Sequence, residues 1–276
     1  MKVCVIGLGE VGLPTATYIK QTHLEVVGYD INEEAVRRAT QNGIAAVSNW
    51  KDVPECNLYV ICVTTSIKRN APDLSAIIDV CSKLRPVLKD DMLVSIESTI
   101  PPGTCRKIFA TILNNRGMLV HVPHRYWAGD PANHGVKQPR LIGAVDDGSM
   151  KAGLSFYADT LGTPLLQVSS IEIAEMCKIT ENAYRFIQIA FAEELRIASE
   201  KLGLSFDELR KACNTKWNIE ILEARNGIGG HCLPKDVRYF AFLSKDSVMP
   251  KAAIEADQRY KSWLARCIAE EDDSFD

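Results

Sequence analysis

The chain has no CxxC pair, no apolar run of membrane-spanning length, no strong excess of either charge and no internal repeat. Each absence removes a class of function. Without paired cysteine spacings, neither a zinc site nor a disulfide framework is expected, although the chain holds nine cysteines. An odd number of thiols, most of them in apolar runs, fits a reducing cytoplasm. A net charge of −3 gives no global attraction to nucleic acid or to an anionic membrane. A bilayer span needs about 20 consecutive apolar residues, and no such run is present. The opening "MKVCVIGLGEVGLP" is broken by glycines and Glu10, so it reads as a strand and turn rather than a signal peptide. No metal is expected. What remains is an ordinary globular composition, 46% hydrophobic and 24% charged.

The first half alternates short β-rich runs with helix-like segments. "KVCVIGL", "EVVGYD", "LYVICVT", "MLVSIES", "MLVHVP", "RLIGAV" and "PLLQVS" read as strands. The intervening "NEEAVRRATQ" and "DLSAIIDVCSKLRPVL" carry helical periodicity. Such alternation predicts an α/β fold, a Rossmann-type, doubly wound and mostly parallel sheet over 1–168. From 169 to 276 the pattern changes to an all-helical domain. Its long central helix over 171–202 contains neither glycine nor proline and spans roughly 45 Å at 1.5 Å per residue. Gly203 supplies a stop and Ser205 an N-cap for the next helix. A helix this long needs partners. It is expected to pack partly on the first domain and partly on a second copy, forming a homodimer; an intramolecular cap is the alternative. "EEDDSFD" closes the chain as an acidic tail.

Gly7, Gly9 and Gly12, in "GLGEVG" with Glu10 and Val11, follow the first strand and open a helix. The first glycine permits the tight turn, the second lets backbone approach a pyrophosphate, and the third lets helix and strand pack closely. A second strand ends at Asp30, placed to bind both ribose hydroxyls of an adenosine and to repel a 2′-phosphate, which favours NAD over NADP. A glycine turn in a nucleotide-free fold is the alternative.

"GIGGHCLPKD" presents Cys232 behind glycines, with Lys235 and Asp236 just after it. A cysteine nucleophile needs access, activation and a stabilised anion. Small residues such as Gly229 and Gly230 let substrate lie against backbone, Lys235 favours thiolate, and Asp236 can steer a water. A structural cysteine beside a turn is the plainer reading. Lys178 and Asn182 lie one turn apart on the long helix, where a cation and an amide can hold an oxyanion or a water. They would equally suit a solvated helix face.

"GLGEVGLP", "GYD", "CVTTS", "ESTIPPGT", "EMCKITENAYR" and "GIGGHCLPKD" occur in that order, and together they resemble the UDP-glucose/GDP-mannose dehydrogenase family, which includes UDP-N-acetylmannosamine dehydrogenases. The resemblance implies NAD-dependent oxidation of a primary alcohol of a nucleotide sugar to a carboxylate, by two hydride transfers. Cys232 then matches the family nucleophile, which forms a thiohemiacetal and then a thioester. Lys178 matches the oxyanion lysine. Asn182 and Asp236 match residues that order water, with Thr99 beside them, and Thr65 and Thr99 match cofactor contacts. Arg125, with Lys178, Asn182, Gly229 and Gly230, is expected against substrate. His124 stands where the family carries a glutamate; a histidine there could be a general base or a spectator. Glu193-Glu194 replaces the family's "NE" and is expected to make that helix surface more acidic.

The resemblance also implies a further C-terminal domain that binds the nucleotide, beyond these 276 residues. A smaller substrate, a separate subunit supplying that domain, or a truncated product would each account for the length. Two rival functions remain at this stage. One is a two-electron dehydrogenase of the 3-hydroxyacid type, using Lys178. The other is a non-catalytic NAD-binding subunit.

Overall fold

The computed structural model describes residues 1–272; the end of the acidic tail, 273–276, lies outside them. The chain forms two compact units, one built from 1–66 and 72–178, the other from 67–71 and 179 onward. The division falls after Lys178, inside the long helix.

The first unit begins with β1 (Lys2–Ile6), α1 (Gly12–Lys20), β2 (Glu25–Tyr29), α2 (Glu33–Gln41), β3 (Ala45–Val47) and β4 (Leu58–Ile61). Two short strands, β5 (Ser66–Lys68) and β6 (Ala71–Asp73), pair with each other. There follow α3 (Ser75–Leu84), β7 (Leu93–Ile96), α4 (Thr104–Thr111), β8 (Met118–His121), β9 (Arg140–Ala144), α5 (Asp147–Leu154) and β10 (Leu165–Gln167). A π-helical turn, Ser155–Thr160, extends α5.

The main sheet runs β10-β9-β8-β7-β4-β1-β2-β3. Among the described pairings of this sheet only β8–β9 is antiparallel. Burial on both faces explains the near-continuous apolar strands: Val3, Cys4, Val5 and Ile6 of β1 are all buried. Cys4, Ile61, Val94 and Leu119 belong to one core cluster, and Val5, Val60, Leu93 and Val120 to another. Strand order reverses between β1 and β4, and ligands of open α/β sheets bind at such a switch point.

The helical elements are α6 (Ile171–Lys201), α7 (Phe206–Cys213), α8 (Cys232–Leu243) and α9 (Met249–Asp272). Ser205 caps α7 by accepting from the Glu208 N–H at 3.3 Å. Within the second unit, Ala183, Phe186 and Ala190 of α6 pack with Ile228, Val237 and Ala253.

In the first unit, Gly103 precedes α4 with φ +86° and offers no side chain as a cap. Glu175 of α6 takes that place. Its buried carboxylate accepts from the Gly103 N–H at 2.6 Å and the Cys105 N–H at 2.7 Å.

Candidate active site

Cofactor side

After β1, Gly7 turns with φ +89°, and a Cβ there would lie 2.7 Å from the Cys62 carbonyl oxygen. A Cβ on Gly12 would strike the Gly7 carbonyl. Gly9 has nothing within 4 Å of an added Cβ, so the open side of the turn is at the middle glycine. Helix α1 has neither a side-chain cap nor an acidic residue in its first turn. Its unspent N–H groups and positive end suit a pyrophosphate. Glu10 is exposed and Val11 half-buried on the same turn.

Asp30 follows β2. Its Oδ2 accepts from the Leu8 N–H at 2.7 Å and its Oδ1 from the Asn32 N–H at 2.8 Å. The first bond ties the carboxylate to the glycine turn. Each oxygen keeps capacity for a ribose hydroxyl. These residues fit a dinucleotide. Thr65 and Thr99, far apart in sequence, meet: Thr65 Oγ1 donates to the Thr99 carbonyl at 2.8 Å.

A buried charge cluster

Below the strand ends lies a carboxylate whose side chain has 0% exposure, Glu97. Arg140 Nη2 reaches Glu97 Oε1 at 2.9 Å, and the Tyr157 hydroxyl donates to the same oxygen at 2.5 Å. His124 Nε2 contacts Glu97 Oε2 and lies 2.9 Å from Thr15 Oγ1. The Cys62 thiol donates to Oε2 at 3.3 Å. Burial alone would raise the Glu97 pKa, but the charges of Arg140 and His124 and the donated hydrogen bonds win, holding it well below the usual carboxylate range. His124 is itself lowered, first by burial and then by Arg140, with Glu97 opposing.

Cys62, Glu97 and His124 bring three possible metal ligands within 4.8 Å of one another. Arg140 supplies a positive charge to the same cluster, ion-paired with Glu97.

Thiol side

None of the nine cysteines is in a disulfide, and only Cys232 is exposed. Cys232 is the first residue of α8. The helix's positive end there favours an anion on sulfur. Residues Lys235 and Asp236 follow at i+3 and i+4, sharing its face. Asp236 has 0% exposure; its Oδ2 accepts from Asn182 Nδ2 at 2.5 Å and its Oδ1 pairs with the Lys235 ammonium. Lys235 also lies 4.5 Å from the Tyr239 ring centroid. Its charge is therefore engaged by Asp236 and Tyr239. Lys178 and Asn182 sit one turn apart on α6, as their spacing predicts. Half-buried Arg125 donates from Nη1 to the Pro139 carbonyl at 2.9 Å.

Relatives

Residues 1–48 and 38–161 match the NAD binding domain of the UDP-glucose/GDP-mannose dehydrogenase family, and residues 172–260 match its central domain. The chain belongs to this family. It is an NAD-dependent dehydrogenase. A UDP-N-acetyl-D-mannosamine dehydrogenase of Methanococcus maripaludis is 30% identical over 98% of this chain and 68% of its own length. An NDP-N-acetyl-D-galactosaminuronic acid dehydrogenase of Ralstonia nicotianae is 32% identical over 89% of this chain and 65% of its own. The solved UDP-D-ManNAc dehydrogenase of Pyrococcus horikoshii superposes with a TM-score of 0.88 at 27% identity, over 98% of this chain and 71% of that one. The chain thus spans about two thirds of these relatives. A 3-hydroxyisobutyrate dehydrogenase of Mycobacterium tuberculosis shares the fold, with a TM-score of 0.72 at 15% identity.

His124 is buried against Glu97, and one placement differs from expectation. Glu193, expected on an acidic surface, has 0% exposure. Arg140, Glu97 and Glu175 were not singled out as structural charges. Their signal was available: Arg140 opens an apolar strand and Glu97 closes one, and a charge in either place must find a partner.

Proposed function

We propose that the chain's residues oxidise a primary alcohol of a UDP-linked N-acetylhexosamine to the carboxylate through covalent attachment to Cys232. One observation carries this reading. The exposed thiol stands at the start of α8, one turn from a buried Asp236 that holds Asn182, in a chain whose relatives act on such sugars.

When bound, NAD supplies the acceptor for a hydride in each of two oxidations. Gly7, Gly9, Glu10, Val11 and Gly12 would hold its pyrophosphate and Asp30 its ribose, and Thr65 and Thr99 would contact the cofactor. The Lys178 ammonium steadies the substrate oxygen as the alcohol becomes an aldehyde. Cys232 Sγ then bonds to the aldehyde carbon, and the oxygen takes up a proton to give a thiohemiacetal. Loss of that proton and of a second hydride leaves a thioester. Water held by Asp236 and Asn182 attacks the carbonyl, the C–S bond breaks, and carboxylate and thiol are released. The balance is alcohol, two NAD⁺ and one water giving carboxylate, two NADH and three protons. Arg125, Gly229 and Gly230 bear on the sugar. His124 keeps Glu97 paired beneath the strand ends.

A homodimer through α6 belongs to the same proposal. Tyr184 and Phe191, two turns apart on that helix, are 62% and 57% exposed. Light scattering should return twice the chain mass.

The test is NADH formation with NAD and UDP-N-acetylmannosamine, UDP-glucose or small phosphorylated alcohols. Two NADH per carboxylate are expected, and Cys232→Ala should form no acid. One NADH per turnover, with a ketone or aldehyde as product, would overturn the proposal in favour of two-electron chemistry.

A further inference from the structure

Ile228 lies four residues before Cys232, and α9 grips both ends of its backbone. The Ile228 N–H donates to Asp257 Oδ1 at 2.7 Å, and its carbonyl accepts from Lys261 Nζ at 2.8 Å. The same ammonium bonds Asp257 Oδ2 at 2.8 Å, closing the clamp. The Lys261 stem passes where a Cβ on Gly227 would lie, and Gly227 has φ +86°. A glycine is therefore required on one side of Ile228, and the clamp holds the other.

Glu193 of α6 stands behind this clamp. It has 0% exposure, and neither carboxylate oxygen has a hydrogen-bond partner among the described residues. Three groups of α9 face it: Asp257, Tyr260 and Lys261. The Tyr260 hydroxyl is occupied, donating to the Arg225 carbonyl at 2.7 Å and accepting from Arg196 Nη1 at 2.8 Å. Lys261 is thus the cation left to answer two acids. Burial first, and then Asp257, push the Glu193 pKa up to about 7, with Lys261 opposing.

We infer that Glu193 is a positioning residue for the thiol-bearing segment: as a neutral acid it leaves Lys261 on Ile228, and as a carboxylate it competes for Lys261 and loosens the clamp. The protonated form favours the held segment and the ionised form the loosened one. The held state therefore weakens as pH rises from the ordinary carboxylate range toward 7 and levels off above it. The inference deepens the Cys232 reading and rests on it for its catalytic meaning, but the clamp stands on its own contacts.

Hydrogen exchange of the 226–232 amides in the full chain, corrected for the intrinsic pH dependence, tests it between pH 5 and 8.5. Wild-type protection should fall by up to about tenfold per pH unit toward 7 and then flatten. Glu193→Gln, neutral at every pH, should hold protection constant. Asp257→Asn removes the charge that raises Glu193 and should move the transition to lower pH; it decides the matter if Glu193→Gln does not fold. The same pH course in wild type and Glu193→Gln, or an unmoved transition in Asp257→Asn, would overturn the inference. Cys232→Ala separates the two readings. It should abolish acid formation and leave the exchange transition in place, so either can fail without the other.

Discussion

Replacing Arg140 by methionine tests whether the Glu97 cluster holds the first unit together. The side chains of Arg140 and Glu97 are 2% and 0% exposed, so neither can turn to solvent when its partner is lost. The substitution leaves Glu97 with His124, Tyr157 and Cys62 but without its strongest neutralising charge. Breaking a buried ion pair from one side costs about 3–5 kcal/mol, a large share of the roughly 5–15 kcal/mol that stabilises a typical protein. The pH dependence carries a sign. In wild type Glu97 is held far below its unfolded value, so its contribution is complete above the ordinary carboxylate range and is lost only in strong acid. Without Arg140, burial dominates and the folded value rises above the unfolded one. The Arg140→Met deficit should therefore shrink between pH 7 and pH 5, as Glu97 takes up a proton. Urea unfolding followed by far-ultraviolet circular dichroism at both pH values measures this. The double variant Glu97→Gln/Arg140→Met should recover most of the loss, since the uncompensated charge is gone. A deficit below about 1 kcal/mol at pH 7, or one that grows in acid, would refute the assignment.

Other outcomes follow from single contacts. Gly9→Ala should fold like wild type yet bind NADH at least about tenfold more weakly in a fluorescence titration, whereas Gly12→Ala should lose stability as well, its methyl striking the Gly7 carbonyl. Glu175→Ala should cost about 2 kcal/mol in urea unfolding, because the Gly103 and Cys105 N–H groups lose their acceptor. Asp236→Asn should cost about 3 kcal/mol by leaving the buried Lys235 ammonium without a counter-charge, and acid formation should stop with it. Glu193, raised from 4.5 to about 7, holds a proton in the folded chain that the unfolded chain gives up, so stability should fall by about 3 kcal/mol between those pH values. In Glu193→Gln that slope should be absent.

The seven strands read from the sequence are all present; burial on both faces makes the central ones, β1, β4 and β7, compact apolar runs, while β10 is a half-exposed edge strand. β3, β5 and β6 escaped that reading; three residues are too few to show a period. Ser205 and the stop at Gly203 were legible because capping is local chemistry. Helix α8 was not, since Gly229, Gly230 and Pro234 surround the thiol and resemble loop composition. Proline is nonetheless tolerated in a first helical turn, which is where Pro234 lies. The glycine turn and Asp30 were found together because their spacing encodes a shared task. The burial of Glu193 and the pairing of His124 were not found. Nothing local distinguishes a surface carboxylate on a helix from one turned inward, and His124 meets Glu97 only through the order of the sheet.

Helix α6 carries Glu175, Lys178, Asn182 and Glu193 on one unbroken rod without glycine or proline. Within the second unit, Asn182 and Glu193 are thereby indexed to one screw. Inserting or deleting a single residue between them would turn one against the other by about 100° and shift it about 1.5 Å. Asn182 would leave Asp236, or Glu193 would leave its place beside Asp257, with every side chain chemically intact. The helix can therefore tolerate many changes in the kind of residue between these positions, but none in their number.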